Sequence, residues 1–139
     1  MDIVEDKELV SGLPVTHMNW LFGNLHCPGC HYSLAERAIC ETLEEMGMEG
    51  QTVSIIGVGC CAVCLQLMNL DAIFSAHGRA PDIGTAVKRV NPDLLVFTLQ
   101  GDGDTIAIGA EAVINAAARA EKITVIMINN ANYGMTGAG

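Results

Sequence analysis

The stretch Leu94-Leu-Val-Phe-Thr-Leu99-Gln100-Gly101-Asp102-Gly103-Asp104, carried on through Ile106–Arg119 to Ile123-Thr-Val-Ile-Met-Ile128, decides the fold. LLVFTL and ITVIMI are continuous apolar runs without polar alternation, the pattern of strands buried on both faces. Between them Ile106–Arg119 is alanine-rich and reads as a helix. A strand, helix and strand of this kind form a right-handed parallel crossover. The fold class is therefore α/β, a parallel sheet with helices on both faces. Such sheets bind ligands at the carboxyl ends of their strands. The two most polar, glycine-rich segments, the loop Gln100–Asp104 and Asn129–Gly139, fall at those ends.

Working upstream, Pro81 sits where the first turn of a helix reaching Val90 tolerates it, and Ile73–His77 reads as a short strand. Thr52–Val58 is a β-branched run closed by Gly59, with a short helix expected over Cys61–Met68. Leu34, Ala38, Ile39, Leu43 and Met46 recur at helical spacing, with Glu36, Glu41, Glu44 and Glu45 between them. That predicts an amphipathic helix from Ser33 to about Gly47 with its acidic side in solvent. Residues 1–24 show no period and read as an N-terminal arm, with residues 25–139 as the folded domain.

The chain has 139 residues and 14.7 kDa, enough for one domain with an aliphatic core. Half of it is apolar and the mean hydropathy is +0.36, which excludes a disordered or collagen-like chain and suggests burial against another subunit. Sixteen acidic against seven basic residues leave a net charge of −9, which argues against nucleic acid and anionic lipid as partners. The longest apolar or glycine run, Ile55–Leu65, is 11 residues, too short to span a membrane. No basic flank and hydrophobic stretch opens the chain, so a cytoplasmic location is expected. In that compartment the six cysteines argue for metal, cluster or buried-thiol roles before disulfides.

Two constellations carry chemistry. Gly101 and Gly103 let the backbone turn around Asp102 and approach a ligand, and the following helix offers free N–H groups to an anion. Asp102, the Asn130 amide oxygen and a backbone carbonyl would give Mg²⁺ three hard oxygen ligands, with phosphate and water completing the octahedron. Glycine, aspartate and asparagine are also common turn formers, so either element alone reads as a loop. Their placement 28 positions apart at the ends of adjacent predicted strands favours a diphosphate–Mg²⁺ site. In the second constellation, Cys27-Pro-Gly-Cys30 sets two thiols within reach of one metal, and Cys60 follows a glycine-bounded turn. Cluster ligands, a zinc or redox pair and plain buried thiols all remain open for Cys27 and Cys30. Cys61 and Cys64 read as small buried hydrophobes.

GDG followed by NN resembles the thiamine diphosphate fingerprint. HCPGC at His26–Cys30, GVGC at Gly57–Cys60, HGRAP at His77–Pro81, GDGD, and NYGMTG at Asn132–Gly137 resemble, in order and spacing, the β subunit of 2-oxoacid:ferredoxin oxidoreductases. The resemblance implies a thiamine diphosphate-binding fold, with Asp102, Asn130 and the Asn132 carbonyl on Mg²⁺. It further implies that the backbone of Gly103 and Asp104 meets the diphosphate, with Gly59, Cys60, Gly101, Tyr133 and Thr136 around the cofactor. His77 and Arg79 would line the pocket as its catalytic residues, Arg79 offsetting anionic charge and His77 donating a hydrogen bond. Cys27, Cys30 and Cys60 would be three ligands of a [4Fe–4S] cluster; the family's fourth lies beyond Gly139, so a C-terminally shortened chain is expected. His31-Tyr32 stands where the family commonly has Gly-His, and Gly139 stands in place of its Gln.

By the same resemblance the activity is oxidative decarboxylation of a 2-oxoacid to acyl-coenzyme A with electrons passed to ferredoxin. HGRAP, KRVNPD and NYGMTG lean toward the 2-oxoglutarate and branched-chain members. No candidate exists here for the glutamate that activates the cofactor's aminopyrimidine, so an α subunit carrying the pyrimidine-binding domain, with γ and δ subunits in some assemblies, is an expected partner. A thiamine enzyme without redox function and a non-catalytic binding module are the alternatives.

Overall fold

The computed structural model describes Pro14, Thr16 and residues 25–137; the arm expected over residues 1–24, apart from Pro14 and Thr16, lies outside the described residues. Strands β1 (Thr52–Ile56), β2 (Asp71–Phe74), β3 (Leu95–Gly101) and β4 (Thr124–Ile128) form one sheet in the order β2-β1-β3-β4. Every pairing is parallel, with Ile56 opposite both Phe74 and Leu99, and Gly101 opposite Ile128. The chain leaves β1 first toward β2 and later toward β3 on its other side. The crevice between the carboxyl ends of β1 and β3 is thus the point where the strand order reverses.

Helices cover both faces. On one, helix α1 (Tyr32–Met46), the short α2 (Cys64–Leu67) and the turn before it pack Tyr32, Cys40, Leu43, Cys61 and Cys64 against Ile56, Phe97 and Leu99. On the other, α3 (Ala80–Val90), with Pro81 in its first turn, packs Ala80, Ile83 and Val87 against Val53, Ile55 and Val96. Helix α4 (Ala110–Ala118) buries Ala112 and Ala116 and leaves Ile114 exposed. Thr16 ties the outside of α1 to the next layer: its hydroxyl donates to Glu44 Oε1 at 2.8 Å, and its carbonyl accepts from Asn69 N–H.

The class expected from sequence is the one observed, but several details differ. Gln100–Asp104 is not a loop: Gln100 and Gly101 complete β3, and Gly103–Ile108 is a π-helical turn leading through Gly109 into α4. The expected strand Thr52–Val58 stops at Ile56, although Gly57 N–H still donates to Leu99 O, because Gly59 turns the chain at φ 127°. The expected strand Ile73–His77 runs over Asp71–Phe74, and Cys61–Met68 divides into a 3₁₀ turn (Cys60–Val63) and α2. Strand β4 is not buried on both faces: it is an edge strand with Thr124 and Met127 exposed, because its apolarity reports surface that the described residues do not cover.

Helix α1 also turns a different side inward. Leu34 and Met46 are exposed, whereas Tyr32, Glu36, Cys40 and Leu43 are buried, with Glu36 fully so. The expectation of a solvated acidic side fails at Glu36. A second apolar stripe of α1, including Ala38, Ile39 and Met46, lines an open groove of about 370 Å³ with Leu95, Phe97, Thr124 and Ile126. Replacing Leu99, fully buried between the strands and α1, with alanine is expected to cost about 2–5 kcal/mol, whereas Leu34→Ala on the exposed side should change stability by less than about 0.5 kcal/mol. Urea unfolding midpoints measure both.

Candidate functional site

A pocket of about 180 Å³ opens at the β1/β3 crevice. Val58, Gly59 and Cys60 enter it from the end of β1, and Gly101–Asp104 from the end of β3. Asn130, Asn132 and Tyr133–Thr136 enter it from the segment after β4, with Tyr32 and His77 completing the wall. Polar, glycine-rich segments at adjacent carboxyl ends come together here because parallel strands deliver their C-terminal loops to one edge of the sheet.

Hard oxygen donors gather on one side. Asp102 begins the π-helical turn, and the Asn130 side chain folds back so that its Oδ1 accepts from Asn132 N–H at 3.2 Å. The donor set of a carboxylate, an amide oxygen and main-chain carbonyls in one pocket fits Mg²⁺, which prefers such ligands and leaves its remaining positions to phosphate and water. Gly103 has no side chain where one would strike Tyr133: a Cβ there would lie 2.5 Å from the ring. Only glycine therefore lets the Tyr133 ring close against this turn.

Beneath this surface lies a buried acid. Asp104 is 2% exposed, and its Oδ1 accepts from Gly78 N–H at 2.8 Å while Oδ2 accepts from Gln100 Nε2 at 2.5 Å. The Gln100 amide oxygen is in turn held by the Thr98 hydroxyl at 3.1 Å. Oδ1 also meets His77 Nδ1 in a close contact, off the line of an ideal N–H···O bond. Two close backbone approaches make room. A Cβ on Gly57 would lie 2.1 Å from Asp104 Oδ2, and one on Gly109 would lie 2.5 Å from the Gly78 carbonyl. The side chain of Asp104, expected to contribute only its backbone, is thus the anchor of the wall that carries His77.

The cysteines divide into two groups. Cys27 is exposed, Cys30 and Cys60 are half-buried, and a turn closes from Cys30 N–H to Cys27 O at 3.0 Å. The Cys60 thiol is pushed up from its ordinary value by burial and then by the neighbouring Cys30 and Cys27 sulfurs, so the three lie within electrostatic reach of one another beside the pocket. Cys40, Cys61 and Cys64 are fully buried. Cys61 donates to the Gly57 carbonyl at 3.2 Å and Cys64 to Glu36 Oε1 at 2.6 Å, while Cys40 sits against Thr16. Burial raises the Cys40 thiol to about 11 and the Cys61 thiol to about 12. Soft thiol donors of the kind a cluster takes are thus accessible at Cys27, Cys30 and Cys60, and the three inward-facing thiols are not.

Arg79 does not line the pocket. It caps α3 on the surface, paired with Glu111 and, at 3.7 Å, with Asp82. The guanidinium, next in the chain but one to a pocket histidine, finds nearer carboxylates on α3 and α4. His26 lies 2.5 Å from the buried Glu36 and stacks on Tyr32 at 5.3 Å between ring centres. His26, Glu36 and Cys64 thus form a buried polar group that the sequence did not announce, since Glu36 looks like any other acid of an amphipathic helix. Gln100 was announced faintly, by the polar pair Thr98 and Gln100 on one side of an otherwise apolar strand.

A family described as thiamine pyrophosphate enzyme, C-terminal TPP binding domain, matches residues 57–139. The ketoisovalerate oxidoreductase subunit VorA of Methanothermobacter thermautotrophicus is 39% identical over 112 residues, which cover 81% of this chain and 24% of the relative. The 2-oxoglutarate synthase subunit KorB of Archaeoglobus fulgidus is 33% identical over 111 residues, covering 80% of this chain and 42% of the relative. Among solved structures, 2-oxoglutarate:ferredoxin oxidoreductase from Magnetococcus marinus, with 2-oxoglutarate, coenzyme A and succinyl-CoA bound, aligns with a TM-score of 0.78 at 27% identity. That alignment covers 81% of this chain and 39% of the other. The chain thus spans less than half the length of these relatives.

Two outcomes are expected from this geometry. Gly57→Ala should destabilise the chain by about 1–3 kcal/mol, because the new methyl meets two side chains packed in the interior, and urea unfolding measures it. On the metal-free chain at pH 8, iodoacetamide should label Cys27 first and leave Cys40, Cys61 and Cys64 unlabelled until the protein unfolds, as read by peptide mass spectrometry. The raised thiols also set a sign for stability. Cys40 favours the folded state fully below its unfolded pKa, and that contribution is lost as the pH rises through about 11.

Proposed function

Because the chain belongs to the thiamine pyrophosphate enzyme family through its C-terminal TPP-binding domain, we propose that the β1/β3 pocket holds the diphosphate of thiamine diphosphate through Mg²⁺. The observation that carries this reading is the convergence of Asp102, Asn130 and Asn132 in one pocket at the strand-order reversal. Asp102 and the Asn130 amide oxygen hold the metal together with the Asn132 carbonyl, and the Gly103 and Asp104 backbone faces the diphosphate. Gly59, Cys60, Gly101, Tyr133 and Thr136 shape the surrounding wall. When bound, thiamine diphosphate supplies the nucleophilic carbon and the electron sink for decarboxylation of a 2-oxoacid.

The wider reading is the β subunit of a 2-oxoacid:ferredoxin oxidoreductase, forming acyl-coenzyme A in the cytoplasm. The names of the relatives support it and favour a 2-oxoglutarate or branched-chain substrate. The pocket is open on one side, which suits a catalytic centre completed by an α subunit bearing the pyrimidine-binding domain. Cys27, Cys30 and Cys60 hold a [4Fe–4S] cluster at its edge, with the fourth ligand supplied from outside the described residues and ferredoxin as electron acceptor. His77 presents its ring to the pocket, whereas Arg79 acts outside it, fixing α3 to α4 through Glu111. The second reading is a thiamine diphosphate-binding subunit without redox function, in which Cys27, Cys30 and Cys60 carry no cluster.

Asp102→Ala should lower thiamine-dependent oxidation of 2-oxoacids by more than about 100-fold in the complex isolated anaerobically, because a direct metal ligand is lost. Thiochrome fluorescence after acid extraction should fall with it; unchanged cofactor content and activity would sink the assignment. Iron and labile sulfide analysis of the same material separates the two readings.

A further inference from the structure

We propose that Asp104 is a positioning residue that locks His77 in the Nδ1-protonated form and turns its Nε2 lone pair into the pocket. His77 Nδ1 is buried and faces Asp104 Oδ1, while about a third of the side chain is exposed to the pocket. With Nδ1 facing the interior, the exposed atoms lie on the Nε2 edge of the ring. A carboxylate oxygen can only accept, so Nδ1 must carry the proton and the neutral ring then has its lone pair on Nε2. His77 therefore offers the pocket an acceptor rather than the donor expected from sequence, and the ligand group it suits is an O–H or N–H of the substrate or cofactor.

Asp104 cannot turn away from this task. Oδ1 is held by Gly78 N–H and Oδ2 by Gln100 Nε2, and Gln100 is oriented by the Thr98 hydroxyl. The missing side chains at Gly57 and Gly109 leave the space in which the carboxylate and the Gly78 backbone sit. The π-helical turn, a conformation found often at functional sites, sets Asp104 inward one residue after Gly103, which lines the pocket. One turn thus serves the ligand on its outer side and the histidine on its inner side.

The proposal deepens the thiamine diphosphate reading and rests on it for the identity of the ligand, but the tautomer can be read without any cofactor. In ¹⁵N-histidine NMR of the full chain at alkaline pH, with the His77 resonances identified by their loss in His77→Gln, Nδ1 should show a protonated and Nε2 an unprotonated nitrogen shift. A lone pair on Nδ1 would overturn the proposal whatever the pocket binds. In the assembled complex, Asp104→Asn should lower kcat by about 10-fold or more with KM and thiamine diphosphate content unchanged. In a His77→Gln background the same change should cost less than about 2-fold, because Asp104 acts through His77. Equal losses in both backgrounds would mean a purely structural role and refute it. Should Asp104→Asn fail to assemble, the wild-type tautomer decides alone, and loss of bound thiamine diphosphate from wild type counts against the pocket reading and leaves the tautomer result standing.

Discussion

A carboxylate buried in a protein interior has to be met by hydrogen-bond donors, and much of the site here is arranged to meet that of Asp104. The chain supplies a main-chain N–H from Gly78 and an amide from Gln100, and sets the His77 imidazole against the same carboxylate, so two separate segments, the His77–Gly78 loop and the end of β3, converge on it. Each donor fixes a different part: Gln100 the end of β3, Gly78 the loop leading to α3, and His77 the pocket wall. An unpaired carboxylate at this depth would cost several kcal/mol, so the His77–Gly78 loop and the end of β3 are ordered together with the turn that carries Asp104. The glycines at 57, 78 and 109 follow as a steric consequence, since the donors reach the acid only if the backbones approach without side chains between them.

The same constraint explains which parts could be read from the chain. The class, the α3 helix with its early proline, and the strand-end location of GDGD and NN follow from local pattern, because buried parallel strands and helix starts have local causes. What could not be read depends on partners distant in sequence. Glu36 has the spacing of a surface acid until His26 and Cys64 are brought to it, and Arg79 stands beside a pocket residue yet turns to Glu111. The apolar run of β4 gave its strand character correctly but not its place at the edge, because composition reports how much surface wants cover and not what provides it.

The cysteines illustrate a division of labour that burial enforces. Six thiols in a short chain invite a single metal-binding account, yet three are driven inward, where desolvation keeps them protonated and they behave as small core residues that donate to a carbonyl or a carboxylate. Of the three left near the surface, Cys60 lines the pocket and has Cys27 and Cys30 near it. Position relative to the sheet, more than the CxxC spacing that Cys27/Cys30 and Cys61/Cys64 share, separates the accessible thiols from the buried ones.

The π-helical turn at Gly103–Ile108 has a meaning for the length of the chain at this point. A turn of this kind holds one residue more than an α-helical turn closing over the same distance, and each residue of an α-helix advances the face by about 100°. The segment between β3 and α4 is therefore counted to the residue. Deleting one position would let the turn relax to α-helical winding and swing α4 by more than a quarter of a revolution, lifting Ala112 and Ala116 off the surface they cover. Insertions and deletions that a surface connection absorbs freely would here redraw the packing of α4, so this short segment sets the phase between sheet and helix.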